Sequence, residues 1–238
     1  MKQQMVFQRF ELKYLLTGAQ LQAVLAAMAP HMEPDEYPHS SIRSLYLDTP
    51  DFRLIRRSLE KPVYKEKLRL RSYGRAAGQD PVFAELKKKY RSVVYKRRIA
   101  LPQDRALACL AGRAPWPDTQ IGGELAYTCA FYGHPAPRVF LSYERDSFAS
   151  REGGDFRVTF DRAICFRQDR LTLDSEPGGV PLLGGGLVLM EVKSAGGMPL
   201  WMARTLSALG VRRTSFSKYG AAYRLMLSAG EEGRAVYA

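Results

Sequence analysis

The stretch Lys65-Glu66-Lys67-Leu68-Arg69-Leu70-Arg71 decides how this sequence folds. In a β-strand successive side chains point to opposite faces, so Lys65, Lys67, Arg69 and Arg71 share one face, and Leu68 and Leu70 the other. The first face carries four positive charges and no apolar residue. A row of like charges is poorly buried unless an anion sits against it. Taken alone, the stretch reads equally well as an exposed strand with a solvated face, but other segments repeat its pattern.

In 6–15, Phe7, Arg9, Glu11 and Lys13 hold one phase and Phe10, Leu12 and Tyr14 the other. Residues 82–90 place Phe83, Glu85, Lys87 and Lys89 together, and 92–101 oppose Lys96 and Arg98 to Val93, Tyr95, Ile99 and Leu101, with Arg97 breaking the apolar phase. Lys88 reads as a solvated charge. Further strands are predicted over 42–48, 138–149, 156–166 and 187–194, where Tyr143 and Arg145, Arg157 and Asp161, and Glu191 and Lys193 pair in phase. Thr17 reads as the N-cap of a helix over about 18–29 ended by Pro30. Short helices follow over 51–59 and 103–133, the latter a helical insertion cut by the proline-rich link 113–118. C-terminal helices are expected over 199–209 and 217–228, then a frayed tail from about 230 to 238. The polar, proline-bearing segment 30–41 reads as a loop, as does the glycine-rich 177–186.

The 238 residues read as a single domain with room for a large core. Lys and Arg number 36 against 24 Asp and Glu, a formal charge of +12 that favours polyanionic partners. Cys109, Cys129 and Cys165 are widely spaced, with neither disulfide nor zinc spacing, which fits a reducing cytoplasmic setting. His31, His39 and His134 are scattered, which argues against a histidine metal site or a Ser/His/Asp triad. No signal peptide and no transmembrane segment is read in the chain.

About eight strands alternate charged and apolar phases. If helices cover the apolar phase, a closed eight-stranded antiparallel β-barrel with a polar lumen, of α+β class, satisfies both phases and leaves no sheet edge. Its lumen would hold Arg9, Lys13, Lys67, Arg69, Arg71, Lys87, Lys96, Arg98, Arg145, Arg157 and Lys193 against Glu11, Glu85, Asp161 and Glu191. Each close like-charge pair costs about 4 kcal/mol at about 4 Å and an effective dielectric near 20, so such a lumen calls for a bound polyanion. The carboxylates would then hold a divalent cation against phosphate oxygens.

The ordered motifs Arg9-Phe-Glu11-Leu-Lys13-Tyr, Ser44-Leu-Tyr46-Leu-Asp48-Thr-Pro50, Lys67-Leu-Arg69-Leu-Arg71-Ser-Tyr73-Gly74, Glu85-Leu-Lys87, Arg157-Val-Thr-Phe-Asp161, Glu191-Val-Lys193 and Ser217-Lys218-Tyr219 resemble the VTC-type polyphosphate polymerase domain, a branch of the triphosphate tunnel metalloenzymes. The resemblance spans about residues 6–227. It implies an eight-stranded tunnel in which the γ-phosphate of ATP passes to a growing inorganic polyphosphate chain. It also implies phosphate contacts at Lys13, Arg69, Arg71, Lys87, Lys96, Arg145, Arg157 and Lys218, with Arg9, Lys67, Arg98, Lys193 and Tyr219 binding substrate around them. Glu191, and more weakly Glu11, would hold Mn2+ or Mg2+. Pyrophosphate is a further expected ligand, and a membrane-protein partner is implied though nothing in the chain specifies one. Ser215 departs from the pattern, standing where relatives often carry a lysine, with Arg212 and Arg213 nearby. Arg9 takes the place of the second glutamate of the tunnel-triphosphatase signature, which favours the polymerase branch.

Phosphoryl transfer needs mainly positioning and charge neutralisation, and an anionic terminal oxygen needs no general base. Two other classes share the features: a triphosphatase or nucleotide hydrolase of the same fold, and a non-catalytic polyphosphate sensor or accessory subunit. A nucleic-acid module is the weakest reading, since it calls for basic residues facing outward with aromatics interleaved.

Overall fold

A computed structural model describes residues 10–91 and 93–235, with side chains through 229. Arg9, and the tail beyond the last helix, lie outside the described residues. The strands are β1 (Phe10–Leu16), β2 (Met32–Asp48), β3 (Tyr64–Tyr73), β4 (Pro81–Tyr90), β5 (Val93–Pro102), β6 (Ala136–Ser150), β7 (Arg157–Arg167), β8 (Val180–Pro181), β9 (Val188–Ser194) and β10 (Arg213–Thr214). The helices are α1 (Gly18–Met28), α2 (Arg53–Leu59), α3 (Gln103–Leu110), α4 (Gln120–Phe131), α5 (Leu200–Ala208) and α6 (Lys218–Ala235). By compactness the chain divides into two units, one of Met1–Ser41, Tyr143–Ile164 and Leu183–Phe216, the other of Ile42–Ser142, Cys165–Leu182 and Ser217–Ala238.

The expected closed eight-stranded β-barrel is not formed. Ten strands make one open sheet in the order β10-β1-β9-β7-β6-β2-β3-β4-β5, with β8 beside β7, and among the described residues β10 and β5 are its two ends. Alternation of charge fixes which face a residue takes; it does not fix whether the outermost strands meet. Both ends carry features that protect an open edge. β10 is only two residues long, and β5 carries Lys96, Arg97 and Arg98.

In the first unit, β1, β9 and β7 pair antiparallel, with Lys13 opposite Glu191 and Val158 opposite Val192. Their apolar phase, including Leu16, Val158, Phe160, Val188, Met190 and Val192, is buried under Leu21, Val24 and Met28 of α1 and Met202 and Leu206 of α5. The Thr17 cap holds as expected: its hydroxyl accepts from Gln20 N at 3.2 Å, and Gln20 Oε1 accepts from Thr17 N at 3.0 Å, a full capping box. The segment expected as a loop at 30–41 is instead the start of β2. Its residues are mostly exposed, so the polar composition is that of a solvated strand.

In the second unit, β2 to β5 form a meander whose apolar phase (Leu45, Leu47, Leu68, Leu70, Val82, Ala84, Leu86, Leu101) packs against Ala106 and Leu110 of α3 and Leu125 and Cys129 of α4. Two of the charges in this phase, Lys88 and Arg97, are matched by α4. Lys88 Nζ reaches Glu124 Oε2 at 3.1 Å, and Arg97 Nε reaches its Oε1 at 2.9 Å. Lys88 is therefore an ion-pair partner and not the solvated charge read from the sequence. At the end of β2, the buried Asp48 carboxylate accepts from the amides of Thr49, Leu54 and Ile55, fixing the start of α2. It also accepts from the Tyr219 hydroxyl of α6 at 2.9 Å.

Candidate functional site: two charged faces

The opposite face of each unit carries the charges. In the second unit, cross-strand register arranges them in rows: Ser44–Arg71–Phe83, then Tyr46–Arg69–Glu85–Arg98, then Lys67–Lys87–Lys96, then Lys65–Lys89. Like charges directly opposite one another on neighbouring strands destabilise a sheet, so Lys67–Lys87–Lys96 is an energetic liability in isolation. Glu85 is the counterweight. It is 1% exposed, and its Oε2 takes both Nε and Nη2 of Arg69 at 2.6 Å while Oε1 takes Lys96 Nζ at 2.8 Å. Arg98 Nε stands 3.5 Å from Oε1 and Arg71 Nε 3.9 Å from Oε2. Four cations thus converge on one carboxylate.

The remaining bonds of this face hold its members in position. Arg69 Nη1 donates to Tyr46 Oη at 3.0 Å, and Arg71 Nε approaches Ser44 Oγ at 3.4 Å. Tyr46 is in turn stacked on Tyr219 at 4.5 Å between ring centroids. Lys67 Nζ donates to Ser217 Oγ at 2.8 Å, and Ser217 accepts from Gly220 N at 3.1 Å, which ties the lysine to the first turn of α6. Lys218, the first residue of α6, is buried, whereas Lys87 and Lys96 are exposed. Arg98 lies 3.5 Å above the Phe83 ring and donates to Tyr73 Oη at 3.2 Å.

Electrostatics follow from that crowding. Burial alone would raise the Glu85 pKa, but Arg69, Arg71 and Lys96 hold it well below the usual carboxylate range. Burial also works to raise the Tyr46 hydroxyl, yet Arg69, Arg71 and Lys218 bring it below its ordinary value. Although the Lys96 side chain as a whole is exposed, its pKa is lowered, first by desolvation of the ammonium seated at the buried Glu85, with Arg98 and Arg69 adding to the effect and the charge of Glu85 opposing it.

The charged face of the first unit is balanced instead. Arg145 of β6 makes a fork to Asp161 of β7, Nε to Oδ1 at 2.6 Å and Nη2 to Oδ2 at 2.7 Å, and Nη2 also reaches Glu191 Oε2 at 3.1 Å. Lys13 Nζ lies 3.2 Å from Glu11 Oε1 and 3.5 Å from Glu191 Oε1, and donates to the Phe216 carbonyl at 2.9 Å. Lys193 Nζ is 3.8 Å from Glu191 Oε2. Burial pulls the Lys193 pKa down to about 8, with Glu191 opposing and Arg145 reinforcing. Burial would lower Arg145, but Tyr143, Asp161 and Glu191 raise it well above its usual value. Arg157 stands apart: it is exposed, with Nη1 3.2 Å from Asp35 Oδ2.

The structure therefore gathers Arg69, Arg71, Lys96 and Arg98 around one carboxylate, with Lys67 and Lys87 in the next row, and gathers Lys13, Glu11, Arg145, Glu191 and Lys193 around another. Sequence reasoning placed Glu85 and Asp161 among the inward-facing carboxylates but did not single them out as the centres of these clusters, and it missed Tyr46. The signal for Glu85 was present: in register it is the only carboxylate in a row with two arginines.

The metal-binding expectation, with manganese at Glu191 and Glu11, is corrected here. Among the described residues no group of three or more His, Cys, Asp or Glu side chains is placed to hold a metal ion. Both oxygens of Glu191 face cations, as do both of Asp161, so as arranged these carboxylates neutralise protein charges. They do not form the multi-oxygen cluster of a resident site.

Comparison with known proteins agrees with this architecture. A chain from Bacillus halodurans, provisionally described as an adenylate cyclase, superposes with a TM-score of 0.54 at 15% identity, covering 87% of this chain and 92% of its own. A Vibrio parahaemolyticus chain with the same provisional description gives 0.53 at 14% identity, covering 92% and 99%. At such identities the likeness is one of fold. No curated protein matches the sequence. The sequence profile of the VTC domain matches residues 8–227, and the chain belongs to that family, within the enzyme-associated triphosphate tunnel metalloenzyme superfamily. Among the described residues no helix is long and apolar enough to cross a membrane.

Proposed function

We propose that this chain binds the phosphate chain of a nucleoside triphosphate or an inorganic polyphosphate on the cationic face of β2–β5 and hydrolyses its terminal phosphate. The observation that supports this is the convergence of Arg69, Arg71, Lys96 and Arg98 on Glu85. One buried carboxylate leaves a surplus of positive charge in fixed positions, which a polyphosphate neutralises through charge-assisted bonds. Arginine forks suit phosphate oxygens bidentately, and Lys67, Lys87 and Lys218 extend the same charge as point donors. In the reaction the terminal P–O bridge breaks, water supplies the new P–O bond and its proton, and the shortened phosphate chain leaves. The protein's part is to hold the chain and offset the charge that builds on the leaving oxygen. Mn2+ or Mg2+ enters this proposal as a counter-ion carried by the phosphates, with no step assigned to it.

A second reading is chain extension, with a terminal polyphosphate oxygen in place of water and ADP as the leaving group. The VTC-domain match favours it. One assay separates the readings. The chain is incubated with ATP or tripolyphosphate, with and without Mn2+, and orthophosphate, ADP and polyphosphate on a gel are measured for wild type and Arg69→Ala. Orthophosphate without polymer is the expected result, and a polymer ladder selects the second reading. Tripolyphosphate binding without turnover identifies a sensor or accessory subunit, and absence of binding refutes the proposal.

A further inference from the structure

The cationic rows of β2–β5 differ at their two ends. Beyond Lys67–Lys87–Lys96 comes the Lys65–Lys89 row, in register with Val94, a row that holds no aromatic residue. Beyond Arg71–Phe83 comes Tyr73, paired in register with Ile42 and 49% exposed. Successive same-face positions are about 7 Å apart along a strand, so Tyr73 is one step from Arg71 and two from Arg69.

Tyr73 does not pack as a core residue. Its ring meets Phe83 edge-on, with centroids 5.7 Å apart and planes at 79°, and its hydroxyl accepts from Arg98 Nη2 at 3.2 Å. Arg98 is itself laid on the Phe83 face. Phe83 and Arg98 thus brace Tyr73 in one orientation. Tyr46, the other tyrosine in the β2–β5 rows, is already covered by Tyr219.

We propose that Tyr73, braced by Phe83 and Arg98, is a stacking platform for the nucleobase of a nucleoside triphosphate whose phosphates run from Arg71 toward Lys67 and Lys87. This rests on the phosphate-binding reading above and adds a direction to it: base at the Tyr73 end, terminal phosphate at the lysine end. Stacking uses the π-face that every base has, so the platform accepts adenine and guanine alike.

Calorimetric titration of the full chain with tripolyphosphate, ATP and GTP tests this in wild type, Tyr73→Leu and Tyr73→Phe. In wild type, ATP and GTP bind more tightly than tripolyphosphate. Tyr73→Leu, which keeps apolar bulk but no ring, weakens ATP and GTP about tenfold and leaves tripolyphosphate within twofold. Tyr73→Phe keeps the ring, loses the hydroxyl bond to Arg98, and retains the nucleotide preference. Equal loss for all three ligands in Tyr73→Leu, or unchanged ATP affinity, overturns the platform. Failure of tripolyphosphate to bind wild type overturns the phosphate-binding reading instead, and the platform with it.

Discussion

Replacing Glu85 by glutamine removes one negative charge from beneath four cations while keeping the side-chain shape. Removing one partner of a buried pair typically costs about 3–5 kcal/mol. Here the partners are partly wetted, Arg69 and Lys96 keeping 21% and 46% of their side-chain exposure, so solvent screens part of the loss. We expect about 2–4 kcal/mol, or about 5–15 °C in Tm for a chain of this size. The glutamate's folded pKa is depressed, so its contribution is present above the unfolded carboxylate value near 4.3 and is lost as pH falls below it. Wild type and Glu85→Gln should therefore converge in stability under acid. Tripolyphosphate should rescue the variant, because its oxygens take the cations that Glu85 held. The thermal shift on adding tripolyphosphate should be larger in Glu85→Gln than in wild type. Scanning fluorimetry and circular dichroism from pH 3 to 7.5, with and without tripolyphosphate, measure all of these. An unchanged Tm at pH 7, or a smaller ligand shift in the variant, would refute the view that Glu85 holds this face together in place of phosphate.

Three further outcomes are expected. Arg69→Ala should weaken tripolyphosphate binding at least tenfold, and Arg69→Lys should not restore it, since a lysine cannot fork to Glu85 and Tyr46 together; affinity measured against salt should show a shallower slope in Arg69→Ala and a wild-type slope in Arg69→Lys, which keeps the charge. Lys193 has a lowered pKa near 8, so the unfolded chain binds more protons than the folded one between about pH 8 and 10.4. Lys193→Met should be as stable as wild type or more so at pH 7 in urea unfolding, with the advantage shrinking by pH 9.5. Tyr219→Phe keeps the stack on Tyr46 but loses the bond to Asp48, and should cost about 1–2 kcal/mol in the same measurement.

How much of this was legible in the sequence depends on the length scale. The strict alternation around Leu68 and Leu70 placed the cations on one face and the leucines in the core, and Thr17 marked a helix start. Barrel closure was not legible, because it depends on whether two distant edges meet, and neither edge's own residues encode a partner. Segment 30–41 was misread because Pro34 and Pro38 in polar company also suit an exposed strand. The cations of the site were legible as residue types. Their partners were not, since that Glu85 serves Arg69 and Lys96 at once follows from the β3–β4–β5 register, which alternation leaves free to slide by two residues.

Asp48 gives the fold an economy of attachment. A single carboxylate fastens the close of one strand, the opening turn of the helix after it, and a tyrosine 171 positions further along the chain. The last helix is thereby a fastener for a segment made much earlier in synthesis. Trimming the chain ahead of Ser217 would expose Tyr46, take away the serine that Lys67 bonds, and strip Asp48 of the Tyr219 hydroxyl. A shortened version of this protein should be judged by whether it keeps that tyrosine.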